Sequence, residues 1–138
     1  MTPFMKPKCL AGCRVLIVDD SRDITSLVAE TFAAAGARPV EVNNGTDAMV
    51  FLMAGGFDIV VLDMVMPPPD GWRVLQFMRS RPKMLARTIL LTANKYDLRV
   101  ARTAEEYGVA HLFKPFLLEN LITAACRLLA QPEHTTAA

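Results

Sequence analysis

Arg14-Val15-Leu16-Ile17-Val18-Asp19-Asp20 is a run of aliphatic residues that ends abruptly in two carboxylates. Its apolar part does not alternate with polar residues, as it would in a strand with one face in water. A nearly continuous run is what a strand buried on both faces requires, as in a parallel sheet. Two further stretches have the same character: Phe57-Asp58-Ile59-Val60-Val61-Leu62, followed by Asp63, and Thr88-Ile89-Leu90-Leu91, followed by Thr92. The half-polar run Arg38 to Val42 suits an edge strand. A fifth run, Val109 to Phe113, follows Gly108 and leads into Lys114.

Between these runs the period changes to that of a helix. Asp23 to Ala35 puts Ile24, Leu27, Val28, Thr31 and Phe32 on one face and stops at Gly36, a common residue just past a helix end. Thr46 to Ala54 ends at Gly55-Gly56. Trp72 to Arg79 has Pro82 beyond it, Lys95 to Tyr107 ends at Gly108, and Leu118 to Ala130 has Pro132 past its end. Five strands alternating with five helices predict right-handed crossovers and an α/β doubly wound parallel sheet.

The bulk numbers set the frame. One hundred and thirty-eight residues, 52% hydrophobic and 21% charged, fit one compact domain with a core of its own. Fifteen basic and fourteen acidic residues nearly cancel, so no global field attracts nucleic acid or anionic lipid. No apolar run approaches the ~20 residues of a membrane-spanning helix, and residues 1–13 lack the apolar centre of a signal peptide. The expected location is cytoplasmic, with no direct nucleic-acid or membrane partner. Cys9, Cys13 and Cys126 are expected to be reduced thiols, and without a second pair of ligands nearby Cys9 and Cys13 do not make a zinc site. Residues 1–11 and 132–138 read as loose ends around a unit spanning 12–131.

In an open α/β sheet, ligands bind at the carboxyl ends of the strands. Asp19, Asp20, Asp63, Thr92 and Lys114 all stand at such ends. Three carboxylates in one cleft repel, and Lys114 balances only one of them, so a divalent cation is expected and one carboxyl should have a raised pKa in its absence. An all-oxygen set favours Mg²⁺. Such a site suits phosphoryl transfer: metal, lysine and hydroxyl on the equatorial oxygens, an aspartate oxygen attacking in line.

The segments Val15-Leu16-Ile17-Val18-Asp19-Asp20-Ser21, Val61-Leu62-Asp63-Met64-Val65-Met66-Pro67, Asp70-Gly71, Leu91-Thr92-Ala93 and Phe113-Lys114-Pro115 resemble, in order, the receiver domains of two-component response regulators. The resemblance covers about residues 12–131. It implies a flavodoxin-like five-stranded sheet of order 2-1-3-4-5. It also implies Asp63 as phosphoacceptor, with Asp20 as a direct Mg²⁺ ligand, Asp19 assisting, and the Val65 carbonyl as a further ligand. Thr92 and Lys114 would contact the attached phosphoryl group, His111 would be a switch residue, and the Lys114-Pro115 bond would be cis. The donor would be a histidine kinase or a histidine phosphotransfer protein. An unidentified downstream protein would read the surface of the fourth helix, fifth strand and fifth helix. The family also admits homodimers, and no residue here decides that point.

The chain departs from the family pattern at Pro67-Pro68-Pro69, which should stiffen the loop after the site, and at Val65, an apolar residue where many relatives carry a polar one. Val65 cannot orient an attacking water, so slow loss of the phosphoryl group is expected. Each residue also has a plainer reading. Asp19 and Asp20 could form a solvated turn, Thr92 could cap a helix, and His111 could be a packed histidine. Trp72 and Met78 read as packing. Lys95, Arg99 and Arg102 read as a solvated face, with a docking surface as the alternative. At the level of function, the alternative is a constitutive interaction module that does not depend on phosphorylation. An enzyme is not expected. Val65 stands where a haloacid-dehalogenase-type phosphatase needs Asp, and Asp19-Asp20 would repel a flavin phosphate. Chemistry would be limited to self-phosphorylation and self-hydrolysis.

Overall fold

A computed structural model describes residues 8–94 and 96–131. After a 3₁₀ turn at Lys8–Leu10, the order is β1 (Arg14–Val18), α1 (Arg22–Ala34), β2 (Arg38–Val42), α2 (Gly45–Ala54), β3 (Ile59–Asp63), α3 (Gly71–Met78), α4 (Pro82–Leu85), β4 (Thr88–Thr92), α5 (Leu98–Tyr107), β5 (Ala110–Phe113) and α6 (Leu118–Ala130). The five strands form one parallel sheet in the order β2-β1-β3-β4-β5.

Each aliphatic run is continuous because each face of the sheet is covered. Leu16, Val18, Val60, Leu62 and Leu90 point to the face packed by α2, α3, α4 and α5, through Ala48, Leu52, Val74, Leu75, Met78, Leu85, Val100 and Ala104. Val15, Ile17, Ile59, Val61, Ile89 and Leu91 point to the other face, where α1 and α6 contribute Val28, Phe32, Leu121, Ile122, Ala125 and Leu128. Side chains alternate across a strand, so both sets come from the same five-residue segments. Each fully buried aliphatic or aromatic side chain contributes roughly 2 kcal/mol. The half-polar run is indeed an edge strand, β2, and β5 forms the other edge.

Three details differ from the sequence reading. A sixth helical element, α4, starts at Pro82. As the sequence reads, this proline stands as a stop beyond the preceding helix, but at a first turn its missing N–H costs nothing and its fixed φ favours a start. Helix α5 begins at Leu98, because the Asp97 side chain accepts the Arg99 N–H and caps it. Lys95, the expected first residue, lies outside the described residues. Finally, Cys9 and Cys126 form a disulfide, with Cα atoms 5.8 Å apart. The expectation of reduced thiols is thereby corrected, and Cys13 is the free one. The physical reason lies in packing: Leu10, fully buried, belongs to the same core cluster as Val28, Phe32 and Ala125, and the 3₁₀ turn packs against α6. Residues 8–11 are therefore docked rather than loose, and 1–7 and 132–138 lie outside the described residues. Among the described residues, no helix is long and apolar enough to cross a membrane.

Candidate functional site

Parallel pairing sets Val18 beside Leu62, Asp63 beside Leu91, and Thr92 beside Phe113. The polar residues that end these strands therefore come out abreast. Asp19 follows β1 and is 1% exposed, Asp63 ends β3 at 2%, and Thr92 ends β4 at 1%. Lys114 follows β5, and its N–H donates to the Thr92 carbonyl at 2.8 Å. The Lys114-Pro115 bond is cis, as the resemblance implied, and Pro68-Pro69 is cis as well.

The Lys114 ammonium donates to Asp19 Oδ2 at 2.8 Å and lies 3.4 Å from Asp63 Oδ2. Each carboxylate also accepts a backbone N–H from two residues ahead: Ser21 to Asp19 Oδ1 at 3.0 Å, and Val65 to Asp63 Oδ1 at 3.1 Å. These bonds fix both carboxylates, leaving little freedom to rotate away from the lysine.

Burial pushes the Asp63 carboxyl up to about 6, and the Asp19 charge adds to the effect; Lys114 and the Val65 N–H oppose it without winning. This is the raised carboxyl that the charge count predicted. Burial alone would lower the Lys114 pKa, but the Asp19 hydrogen bond and the charges of Asp63 and Asp19 overcome it and hold the ammonium above its ordinary value. Asp20 is exposed at the rim. Asp19, Asp20 and Asp63 each offer an oxygen within 4.8 Å of the others. Three carboxylates facing one ammonium leave negative charge over. A donor set of oxygens alone, with no nitrogen or sulfur ligand, fits a hard divalent cation.

Asp19, Asp20, Asp63 and Lys114 thus lie together at one end of the sheet, and Thr92 ends the adjacent strand, joined to Lys114 through its carbonyl. Thr92 accepts the Asn94 N–H at 3.3 Å, while the α5 cap is Asp97. Val65 stands at the rim with 62% of its surface exposed. His111 is half-buried and packs edge-to-face on Phe113, ring centroids 5.4 Å apart, rather than joining the carboxylates. Met78 is buried, and Trp72 packs against the core with the Arg99 guanidinium 5.1 Å from its ring. Arg99 is also held by the Asp97 carboxylate at 2.9 Å, so it is not a free member of a basic stripe.

Two functional neighbours were missed. Asn43, just past β2, donates its amide to the Asp19 carbonyl at 2.9 Å and to Thr25 Oγ1 at 3.1 Å. Thr25 is fully buried. An asparagine after a strand reads as turn chemistry, and nothing local signals a partner 24 residues away.

Comparison with known proteins agrees with the fold. The family profile described as response regulator receiver domain matches residues 15–126. Sporulation initiation phosphotransferase F of Bacillus subtilis is 31% identical over 117 residues, covering 84% of this chain and 93% of that protein. The transcriptional regulator NtrC of Rhizobium meliloti is 26% identical over 126 residues; the chain spans 91% of its own length but only 26% of that relative. Among solved structures, a receiver protein of Sinorhizobium medicae superposes with a TM-score of 0.71 at 30% identity, over 86% of this chain and 94% of that one. The chemotaxis protein CheY4 of Vibrio cholerae gives 0.74 at 26% identity, over 86% and 99%.

Proposed function

The chain belongs to the response regulator receiver domain family, and on that premise we propose that it is a phosphoacceptor switch whose acceptor is Asp63. The observation that carries the reading is a single ammonium, Lys114, lodged between two buried carboxylates at the ends of β1 and β3. The negative charge left over there favours a divalent cation, and a cation so held would in turn accept the oxygens of an incoming phosphoryl group.

Asp19, Asp20 and Asp63 would hold Mg²⁺, with the Val65 carbonyl as a further ligand. When bound, the ion would neutralise the carboxylates and the phosphoryl oxygens. The chain's own groups do the rest. An Asp63 carboxylate oxygen attacks phosphorus, a P–O bond forms, and the P–N bond to the donor's phosphohistidine breaks; with the other ring nitrogen of that histidine protonated, the electron pair returns to the ring and neutral imidazole leaves. Lys114 turns from its carboxylates toward a phosphoryl oxygen. Thr92, freed from nothing stronger than the Asn94 N–H, donates its hydroxyl to another. The added charge of about −2 would draw Thr92 inward and let His111 turn from Phe113 into the vacated space, so the surface of α5, β5 and α6 changes as a population shift.

The donor is a histidine kinase or histidine phosphotransfer protein, and the site lies in the cytoplasm. Residues 12–131 form the receiver unit, with 1–11 and 132–138 as extensions. Catalysis is limited to phosphorylation and slow hydrolysis of its own acyl phosphate. The downstream reader meets the α5-β5-α6 face, and homodimerisation through it is one outcome of activation. The test is mass spectrometry after incubation with acetyl phosphate and Mg²⁺. Wild type should gain one phosphoryl group and Asp63→Ala none. A wild type that gains none under these conditions would favour the phosphorylation-independent module instead.

A further inference from the structure

We infer that Asn43 is a positioning residue that sets the cation affinity of the carboxylate cluster by fixing the peptide between Asp19 and Asp20. The inference rests on the reading of those carboxylates given above and deepens it.

Asp19 is held at both ends of its backbone. Its N–H donates to the Val42 carbonyl at 3.1 Å, continuing the β1–β2 ladder by one step. Its carbonyl, half-shielded from water, accepts the Asn43 amide at 2.9 Å. A peptide unit is planar, so fixing the carbonyl of residue 19 fixes the direction in which residue 20 leaves. The Asp20 side chain hydrogen-bonds to no other group among the described residues. Its carboxylate is therefore aimed by its backbone, which Asn43 holds at the Asp19 carbonyl while Asp19 Oδ1 holds the Ser21 N–H on the far side.

Asn43 is itself anchored. Its second amide hydrogen donates to Thr25 Oγ1 at 3.1 Å, and the Thr25 hydroxyl in turn donates to the Arg22 carbonyl at 3.2 Å. Thr25 sits at zero exposure in the first turn but one of α1. The chain from Arg22 through Thr25 and Asn43 to Asp19 closes a ring around the β1–α1 turn. Groups that orient metal ligands from behind carry about tenfold or more in affinity when removed.

The test uses the intact chain with Mn²⁺ as the probe, free ion being counted by electron paramagnetic resonance and Mg²⁺ added as competitor. Asn43→Ala should weaken the Mn²⁺ Kd by about tenfold while circular dichroism in EDTA stays that of the wild type. Thr25→Val, which keeps the shape and loses the hydroxyl, should shift the Kd in the same direction, and Thr25→Ser should restore it. A folded Asn43→Ala with the wild-type Kd would overturn the inference. If Asn43→Ala does not fold, equal Kd values for Thr25→Val and Thr25→Ser would overturn it instead. A wild type that takes up no Mn²⁺ would overturn the reading of the carboxylates themselves, and this inference with it.

Discussion

At Asp63 the electrostatics can be turned into a sign. Its folded carboxyl binds a proton more tightly than the ordinary value of 3.8, titrating at about 6. Such a group favours the folded state fully below 3.8, and that contribution is lost as pH rises to about 6. Above that range, ionised Asp63 opposes folding in metal-free protein. Asp63→Asn should therefore be the more stable protein in EDTA at pH 7.5, by roughly 1–2 kcal/mol after discount for the open side of the crevice, and nearly equal to wild type at pH 4. Thermal unfolding at the two pH values measures this. Lys114 works in the opposite direction on the same carboxyl, so Lys114→Met should move the Asp63 titration upward, read from its carboxyl carbon resonance. Val65 belongs to this scale as well. Its exposed isopropyl group offers no hydrogen bond to an attacking water, so Val65→Asn or Val65→Glu should change the lifetime of the acyl phosphate, followed by loss of the phosphoryl mass.

Among the elements, the start of α3 is tightly constrained. A Cβ on Gly71 would fall on the Met64 Cα and within 2.6 Å of the Asp63 carbonyl oxygen. The helix therefore sits directly on the turn that follows the acceptor, and Asp70, which caps it by accepting the Arg73 N–H at 3.1 Å, needs glycine beside it for steric reasons. Gly71→Ala should cost about 1–3 kcal/mol in urea unfolding and disturb phosphorylation without touching a reacting group. Helix α6 carries a different constraint. The Cys9–Cys126 bridge closes a span of 117 residues and ties the 3₁₀ turn to the helix. Cys9→Ser should lower stability by about 2–4 kcal/mol, and a reductant should do the same to wild type while leaving Cys9→Ser unchanged. A disulfide is unusual in a reducing compartment, so a non-reducing mass measurement on protein alkylated at lysis bears directly on the cytoplasmic assignment.

Over the whole molecule, the sheet order β2-β1-β3-β4-β5 sends the connection after β1 to one face and that after β3 to the other. The crevice between them is the topological switch point, where an open α/β sheet binds ligands. The aliphatic runs, five of their six helical partners (the short α4, begun by a proline, excepted) and the polar residues at the strand ends are legible in the sequence, because two-sided burial and helical amphipathicity are properties of a few neighbouring residues. That is why Asp19, Asp63, Thr92 and Lys114 could be named without coordinates. Only the tertiary structure decided that Lys114 sits closer to Asp19 than to Asp63, that Asn43 holds the Asp19 carbonyl, and that Cys9 reaches Cys126. Each of these joins segments distant in the chain through contacts a few ångströms long. Such contacts depend on how whole layers pack, and no local pattern of residues carries that information.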